Sequence, residues 1–316
     1  MIKRLIKLPL RLVLHLYFFA QKFPPFWYLT NRKGYKALKK EPPTLNITQK
    51  RILHDLRKNG VALAHIDELF PEKNYLKIFQ TKFQEYQKQA EVKGVKKFLR
   101  YVWDNIPILD FDDPSLYPFL SFAFDRRILD VVNSYIGVCS RFIHFTLNIT
   151  AIIKDGDVPV QSQRWHRDPE DKIMCKVFVY LNDVDKNTGP FVYLRESHCG
   201  GKYWRTFLQR PPVGNYPPLG AIEKRFTDEE IKICEGKAGT VVFCDTAGLH
   251  YGGVAAEKER VMFTASYCSD ACPSSLLYIL PSNFEVQKNN LKSLTAQFAV
   301  KTHVSLVSNF LYEVYK

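Results

Sequence analysis

The 316-residue chain is 46% hydrophobic, 24% charged and 14% aromatic, long enough for one large domain and too apolar for a disordered one. A formal net charge of +13 favours anionic partners. No zinc finger, RNP-like aromatic motif or helix-turn-helix pattern accompanies it, so nucleic acid is not expected. Seven cysteines, an odd number without a C-x-x-C pair, argue against a disulfide framework and for a reducing, cytoplasmic setting.

Basic residues are interleaved with acids except at the start, where Lys3, Arg4, Lys7 and Arg11 stand and no acid precedes Glu41. Residues 12–20 form an apolar run too short to span a bilayer, which takes about 20 residues. His15 and Phe18 do not suit a signal peptide. With Phe23-Pro-Pro-Phe-Trp27, the segment reads in two ways: a peripheral membrane contact through residues 1–29, or a helix packed on its own domain. Lys39-Lys-Glu-Pro-Pro43 reads as a linker, which sets residues 1–43 apart from a body at 44–316.

In the body, Thr48 is expected to cap a helix running to about Lys58, and Asn59-Gly60 to turn the chain into a strand, Val61–His65. Leu76, Ile78, Phe79 and Phe83 lie near helical spacing. Residues 95–135 look mixed and mainly helical. From Arg141 the pattern changes to short alternating or apolar runs: 142–150, 174–181, 191–194, 240–244 and 261–267, rich in Val, Phe, Tyr and Thr. Such runs predict an antiparallel sandwich or barrel. The body thus divides into a helical part, about 44–140, a β core, about 141–268, and a C-terminal extension, 269–316. A proline-rich insertion at about 200–235 is expected to close with a small helix whose capping box is Thr227-Asp-Glu-Glu230.

His166-Arg-Asp168 carries the chemistry. On an extended segment, residues i and i+2 share a face, so an imidazole and a carboxylate converge on one point. A third ligand from a distant strand would complete the two-histidine, one-carboxylate set that leaves open positions on iron(II). A second H-x-D, His65-Ile-Asp67, sits at a strand-to-helix junction, where Asp67 is better read as an N-cap.

Context separates the two. After Asp168 come the strand Met174-Cys-Lys-Val-Phe-Val-Tyr-Leu181 and the stretch Asn187-Thr-Gly-Pro-Phe-Val-Tyr-Leu-Arg-Glu-Ser-His198. Gly239-Thr-Val-Val-Phe-Cys-Asp245, Gly248-Leu-His250-Tyr-Gly-Gly253 and Arg260-Val-Met-Phe-Thr-Ala-Ser-Tyr267 follow. In this order the pieces resemble the phytanoyl-CoA dioxygenase family over about residues 50–268, most sharply at 163–267. The resemblance implies an α+β fold with a mainly β core, a double-stranded β-helix (jelly roll) flanked by helices. It implies an iron(II)- and 2-oxoglutarate-dependent dioxygenase that uses O2 and hydroxylates a C–H bond, releasing succinate and CO2. The family's metal ligands fall on His166, Asp168 and His250, and its 2-oxoglutarate-binding arginine on Arg260. Where the family usually has Pro-Gly-Ser-His, this chain has Arg195-Glu-Ser-His198, a departure in a loop.

Alternation puts Met174, Lys176, Phe178 and Tyr180 on one face of their strand and Cys175, Val177, Val179 and Leu181 on the other. The second, wholly apolar face reads as inter-sheet core. Lys176 then faces a pocket, where it could hold the anionic cosubstrate, or snorkels to solvent. Asn148 is either pocket-facing or an ordinary strand residue. Blander roles fall to His198 (orienting a loop), Trp165 (packing) and Asp245 (capping the turn that carries His250). The expected partner is a small-molecule substrate, anionic or lipid-like. The competing readings are a metal-retaining but non-catalytic jelly roll, a zinc hydrolase, for which no general base is evident, and a membrane-surface tether.

Overall fold

Ten strands build two facing antiparallel sheets in a computed structural model that describes residues 16–300, except 18, 22, 90–94, 97–98, 104–105, 154–158, 160, 209–215 and 273–275. They are β1 (Val61–His65), β2 (Val95–Lys96), β3 (Leu99–Tyr101), β4 (Arg141–Thr150), β5 (Met174–Tyr180), β6 (Phe191–Leu194), β7 (Ile231–Cys234), β8 (Thr240–Cys244), β9 (His250–Gly252) and β10 (Arg260–Cys268). The large sheet runs β1-β8-β5-β10-β4-β3-β2 and the small one β7-β6-β9. Helices α1 (Pro24–Thr30), α2 (Arg32–Lys40), α3 (Ile47–Asn59), α4 (Ile66–Leu69), α5 (Tyr75–Gln89), α6 (Tyr117–Ala123), α7 (Arg126–Ile136), α8 (Phe284–Asn289) and α9 (Leu294–Ala299) flank them, and a single 3-10 turn spans Gln161–Gln163. This is the mixed fold expected, a sandwich of antiparallel sheets flanked by helices.

Two covers on one sheet explain the core. Cys175, Val177, Val179, Val241, Phe243, Phe263, Ala265 and Tyr267 join a cluster with Phe79, Phe119, Phe122, Leu129 and Val132 of the helices. The apolar face of β5 therefore packs under helices and is not the inter-sheet core. Strand parity divides residues between two faces but cannot say what will cover each. The inter-sheet face is the other one, where Phe178, Tyr180, Val242 and Met262 meet Phe191, Tyr193 and Cys234 of the small sheet.

Several local expectations shift. Helix α3 starts one residue earlier than Thr48: Asn46 is its N-cap, its side chain accepting from Gln49 N–H while the Gln49 side chain accepts from Asn46 N–H. At the β1–α4 junction the cap is His65, whose Nδ1 accepts from Asp67 N–H at 3.3 Å; Asp67 lies inside the first turn. The motif at Thr227–Glu230 makes a turn rather than a helix, because β7 follows at once and pairs with β6. Residues 95–135 hold two short strands besides two helices. None of the seven cysteines forms a disulfide. No helix among the described residues is long and apolar enough to cross a membrane.

Candidate metal centre

The backbone brings the histidines together. His166 and His250 exchange N–H···O bonds of 2.9 and 3.0 Å as an antiparallel pair, and Asp168 N–H donates to Thr246 O at 2.8 Å. Opposed residues in such a pair share a face, so the two rings lie 4.2 Å apart between centroids. Asp168, two residues on, points the same way. One ligand atom from each of His166, Asp168 and His250 lies within 4.8 Å of the others, and all three side chains are deeply buried.

Hydrogen bonding fixes the tautomers. Nδ1 of His166 lies 2.8 Å from Arg164 O, and Nδ1 of His250 lies 3.0 Å from Gly248 O. A carbonyl only accepts, so both Nδ1 atoms carry the proton and both Nε2 lone pairs face the centre. Burial lowers the basicity of His166 and, with the neighbouring imidazole, brings His250 down to about 3. Both rings are therefore neutral near pH 7, the form that ligates metal. Burial alone would raise the Asp168 carboxyl; the Lys176 ammonium 2.7 Å from Oδ2, with the two histidines, holds it well below the usual range. Lys176 is in turn held above its usual range, against burial, by Asp168 and Glu170. Burial and the charge of Asp168 push Glu170 up to about 7.

Cross-strand register lines the inter-sheet face with polar residues. Arg260 stands opposite Thr150, Met262 opposite Asn148, Thr264 opposite Thr146, and Ser266 opposite Lys176 and His144. Asn148 donates to Thr146 Oγ1 at 3.1 Å, but its Oδ1, like Ser266 Oγ, has no hydrogen-bond partner among the described residues. Arg260 is buried; it donates to Gly189 O and, at 3.1 Å, to Thr150 Oγ1, and pairs with no carboxylate among the described residues. Uncompensated burial of a guanidinium is costly, and it lowers the basicity of Arg260.

Three neighbours escaped the sequence reading. Arg167, between His166 and Asp168, points away from the centre and donates to six carbonyls: Ser197, Ala247, Phe207, Tyr203, Trp204 and Thr206. It ties the insertion to the turn that carries His250. Strand parity could have flagged its opposite direction, but nothing in the sequence shows what lies there. Tyr216 of the insertion lies nearly parallel to the His166 ring, 6.0 Å between centroids, with the Arg164 guanidinium 5.4 Å from its own centroid. Glu170 was passed over as part of a polar turn.

The surrounding loops brace the turn that carries His250. Asp245 accepts from Ala247 N–H at 3.0 Å and from Tyr135 Oη–H at 2.7 Å, and burial pushes it up to about 7. Leu249 N–H donates to Ser197 Oγ at 2.7 Å, so the atypical loop Arg195–His198 reaches the residue next to His250. His198 holds that loop through Arg57 O at 3.0 Å. Gly248 is needed because a Cβ there would fall 1.9 Å from Tyr193 Oη. A cavity of about 430 Å³ lined by Trp165, Val192, Pro218 and Tyr251 opens on the outer face of the small sheet, opposite His166 and His250 by alternation. Trp165 packs there on Tyr251 and donates to Glu223 at 2.7 Å.

No family model and no curated protein matches the chain. Solved structures do. SnoN, a non-heme alpha ketoglutarate dependent epimerase from nogalamycin biosynthesis, aligns at TM-score 0.51 and 16% identity, covering 70% of this chain and 81% of its own. In complex with Fe3+, alpha ketoglutarate and nogalamycin RO it aligns at TM-score 0.50 and 16% identity, covering 70% and 84%. EctD from S. alaskensis with bound Fe aligns at 0.49 and 14% identity, over 77% and 84%. The SnoN likeness shows the fold.

Proposed function

We propose that this protein is an iron(II)- and 2-oxoglutarate-dependent dioxygenase of the phytanoyl-CoA dioxygenase family, hydroxylating a C–H bond of a small molecule. One observation carries the reading: the inter-sheet face holds both a buried His166–Asp168–His250 set and a buried Arg260 with no carboxylate partner among the described residues. A zinc hydrolase would leave that arginine without a purpose.

The donor set fits the metal. Two neutral imidazoles and one carboxylate supply three ligands and leave positions for a chelating cosubstrate and dioxygen. With iron bound, the chemistry supplied is oxidation by O2: one oxygen atom goes to 2-oxoglutarate, which leaves as succinate and CO2, and the other to the substrate C–H. Arg260 would hold the far carboxylate of 2-oxoglutarate through its planar fork. A Cβ on Gly252 would stand 3.5 Å from Arg260 Nη2, and Gly252 lies two residues from His250 on the same face of β9, roughly 7 Å along the strand. That span suits a five-carbon dicarboxylate anchored at one end by metal. Asn148 and Ser266 offer further polar partners. Lys176 would orient the Asp168 carboxylate and add positive charge for an anionic cosubstrate.

Tyr216, beside His166, would meet the substrate, which we take to be anionic or lipid-like in keeping with the +13 charge. The test is succinate release from 2-oxoglutarate with iron(II) and ascorbate, beside His166→Ala. Succinate from the wild type alone supports the reading. If neither protein makes succinate and the wild type fails to bind iron with 2-oxoglutarate anaerobically, the reading falls. Binding without succinate would favour the non-catalytic jelly roll.

A further inference from the structure

The described residues among 16–30 turn large apolar side chains outward. Their inner side is anchored: Tyr17 Oη donates to Ala271 O at 2.9 Å, the Gln21 amide donates to the same carbonyl, and Trp27 packs on the core with Lys172 Nζ 4.4 Å from its ring centre. Their outer side presents Leu16, Phe19, Phe23, Tyr28 and Leu29, with Phe19 77% and Leu29 68% exposed. A helix on a globular surface buries its apolar stripe; here Trp27 packs inward while five other large apolar side chains stay outside. Trp204 and Leu208 of the insertion are also exposed, and with Pro24 they line a cavity of about 300 Å³ that joins the two apolar elements. An exposed apolar group of this kind marks a contact surface.

Charge decides the partner. Helix α2 follows directly and exposes Arg32, Lys33, Lys36, Lys39 and Lys40. No acid occurs before Glu41, so the first forty residues carry ten Lys and Arg against no Asp or Glu, most of the chain's net +13. Five of these basic residues, Lys3, Arg4, Lys7, Arg11 and Lys22, lie outside the described residues and count here by sequence alone. Apolar and aromatic side chains beside an uncompensated basic face match the interface of an anionic bilayer, where rings enter the headgroup boundary and lysines meet lipid phosphate and carboxylate. A second copy of the chain would set this positive segment against itself.

We propose that residues 16–40, with Trp204 and Leu208, form a docking surface for an anionic membrane. The proposal is independent of the catalytic reading. The test is co-sedimentation of the full chain with vesicles of phosphatidylcholine alone and of phosphatidylcholine with 30% phosphatidylserine. The expected result is binding at least tenfold tighter to the anionic vesicles, weakened by 0.5 M salt. Phe19→Ser/Phe23→Ser/Leu29→Ser and Lys33→Glu/Lys36→Glu/Lys39→Glu should each weaken it at least tenfold, with iron binding and melting temperature unchanged because the side chains are exposed. Absence of vesicle binding, or wild-type binding by both variants, would overturn the proposal. So would a wild-type dimer in sedimentation velocity that the first variant disperses, since the patch would then be covered by a second copy.

Discussion

Lys176→Met removes a charge and keeps the side-chain volume. In the metal-free protein, Lys176 Nζ is the cation nearest the Asp168 carboxylate, 2.7 Å from Oδ2, while the two histidines are neutral. Removing one partner of a buried ion pair strands the other, at a cost of about 3–5 kcal/mol. With unfolding entropy of roughly 2 cal/mol/K per residue, that lowers the melting temperature of a chain this size by roughly 5–8 °C. The sign reverses when metal is added. Metal and ammonium compete for one carboxylate, so the variant offers an uncompensated anion, and a divalent cation should recover most of the lost stability. The assay is differential scanning fluorimetry of both proteins in chelator and in saturating Mn(II) under nitrogen. The metal-induced rise in melting temperature should be larger for the variant by most of the 5–8 °C. A chelated variant as stable as the wild type, or equal metal-induced rises, would refute the reasoning.

Arg260→Met should weaken 2-oxoglutarate binding at least about tenfold, from about 1.5–3 kcal/mol per lost charge-assisted bond, and leave iron affinity intact in anaerobic titration. The cosubstrate-free variant should be no less stable than the wild type, since a buried charge without a carboxylate partner disappears. Arg167→Met leaves six carbonyls without their donor. It should cost about 3–5 kcal/mol in urea unfolding and, by loosening the turn that carries His250, weaken iron binding roughly 10- to 100-fold; unchanged iron affinity would show that the turn holds itself. Asp245, raised to about 7 by burial, has a folded pKa above its unfolded value. Its stabilising contribution is present below about pH 4 and is lost as pH rises to about 7, on the order of 4 kcal/mol in all. Asp245→Asn should therefore gain on the wild type between pH 5 and pH 8 in chelator, read as a difference of urea midpoints; no gain would place the carboxyl in a solvated setting.

Much of the fold could be read from local pattern. β1, β6 and β8 span the expected residues because alternating β-branched and aromatic runs bounded by turn residues have few other outcomes. His166 and Asp168 share a face because extended backbone alternates, whatever it packs against. The sequence could also place an arginine at the start of the last strand, although its role rested on resemblance. Other features lay beyond it because they depend on contacts between segments distant in the chain. The apolar face of β5 is covered by helices, and the polar face meets the small sheet. Lys176 finds Asp168, and Arg167 finds carbonyls of the insertion and of the turn before His250. Alternation assigns each side chain a direction; only the packing of the two sheets and the helices decided what it met there.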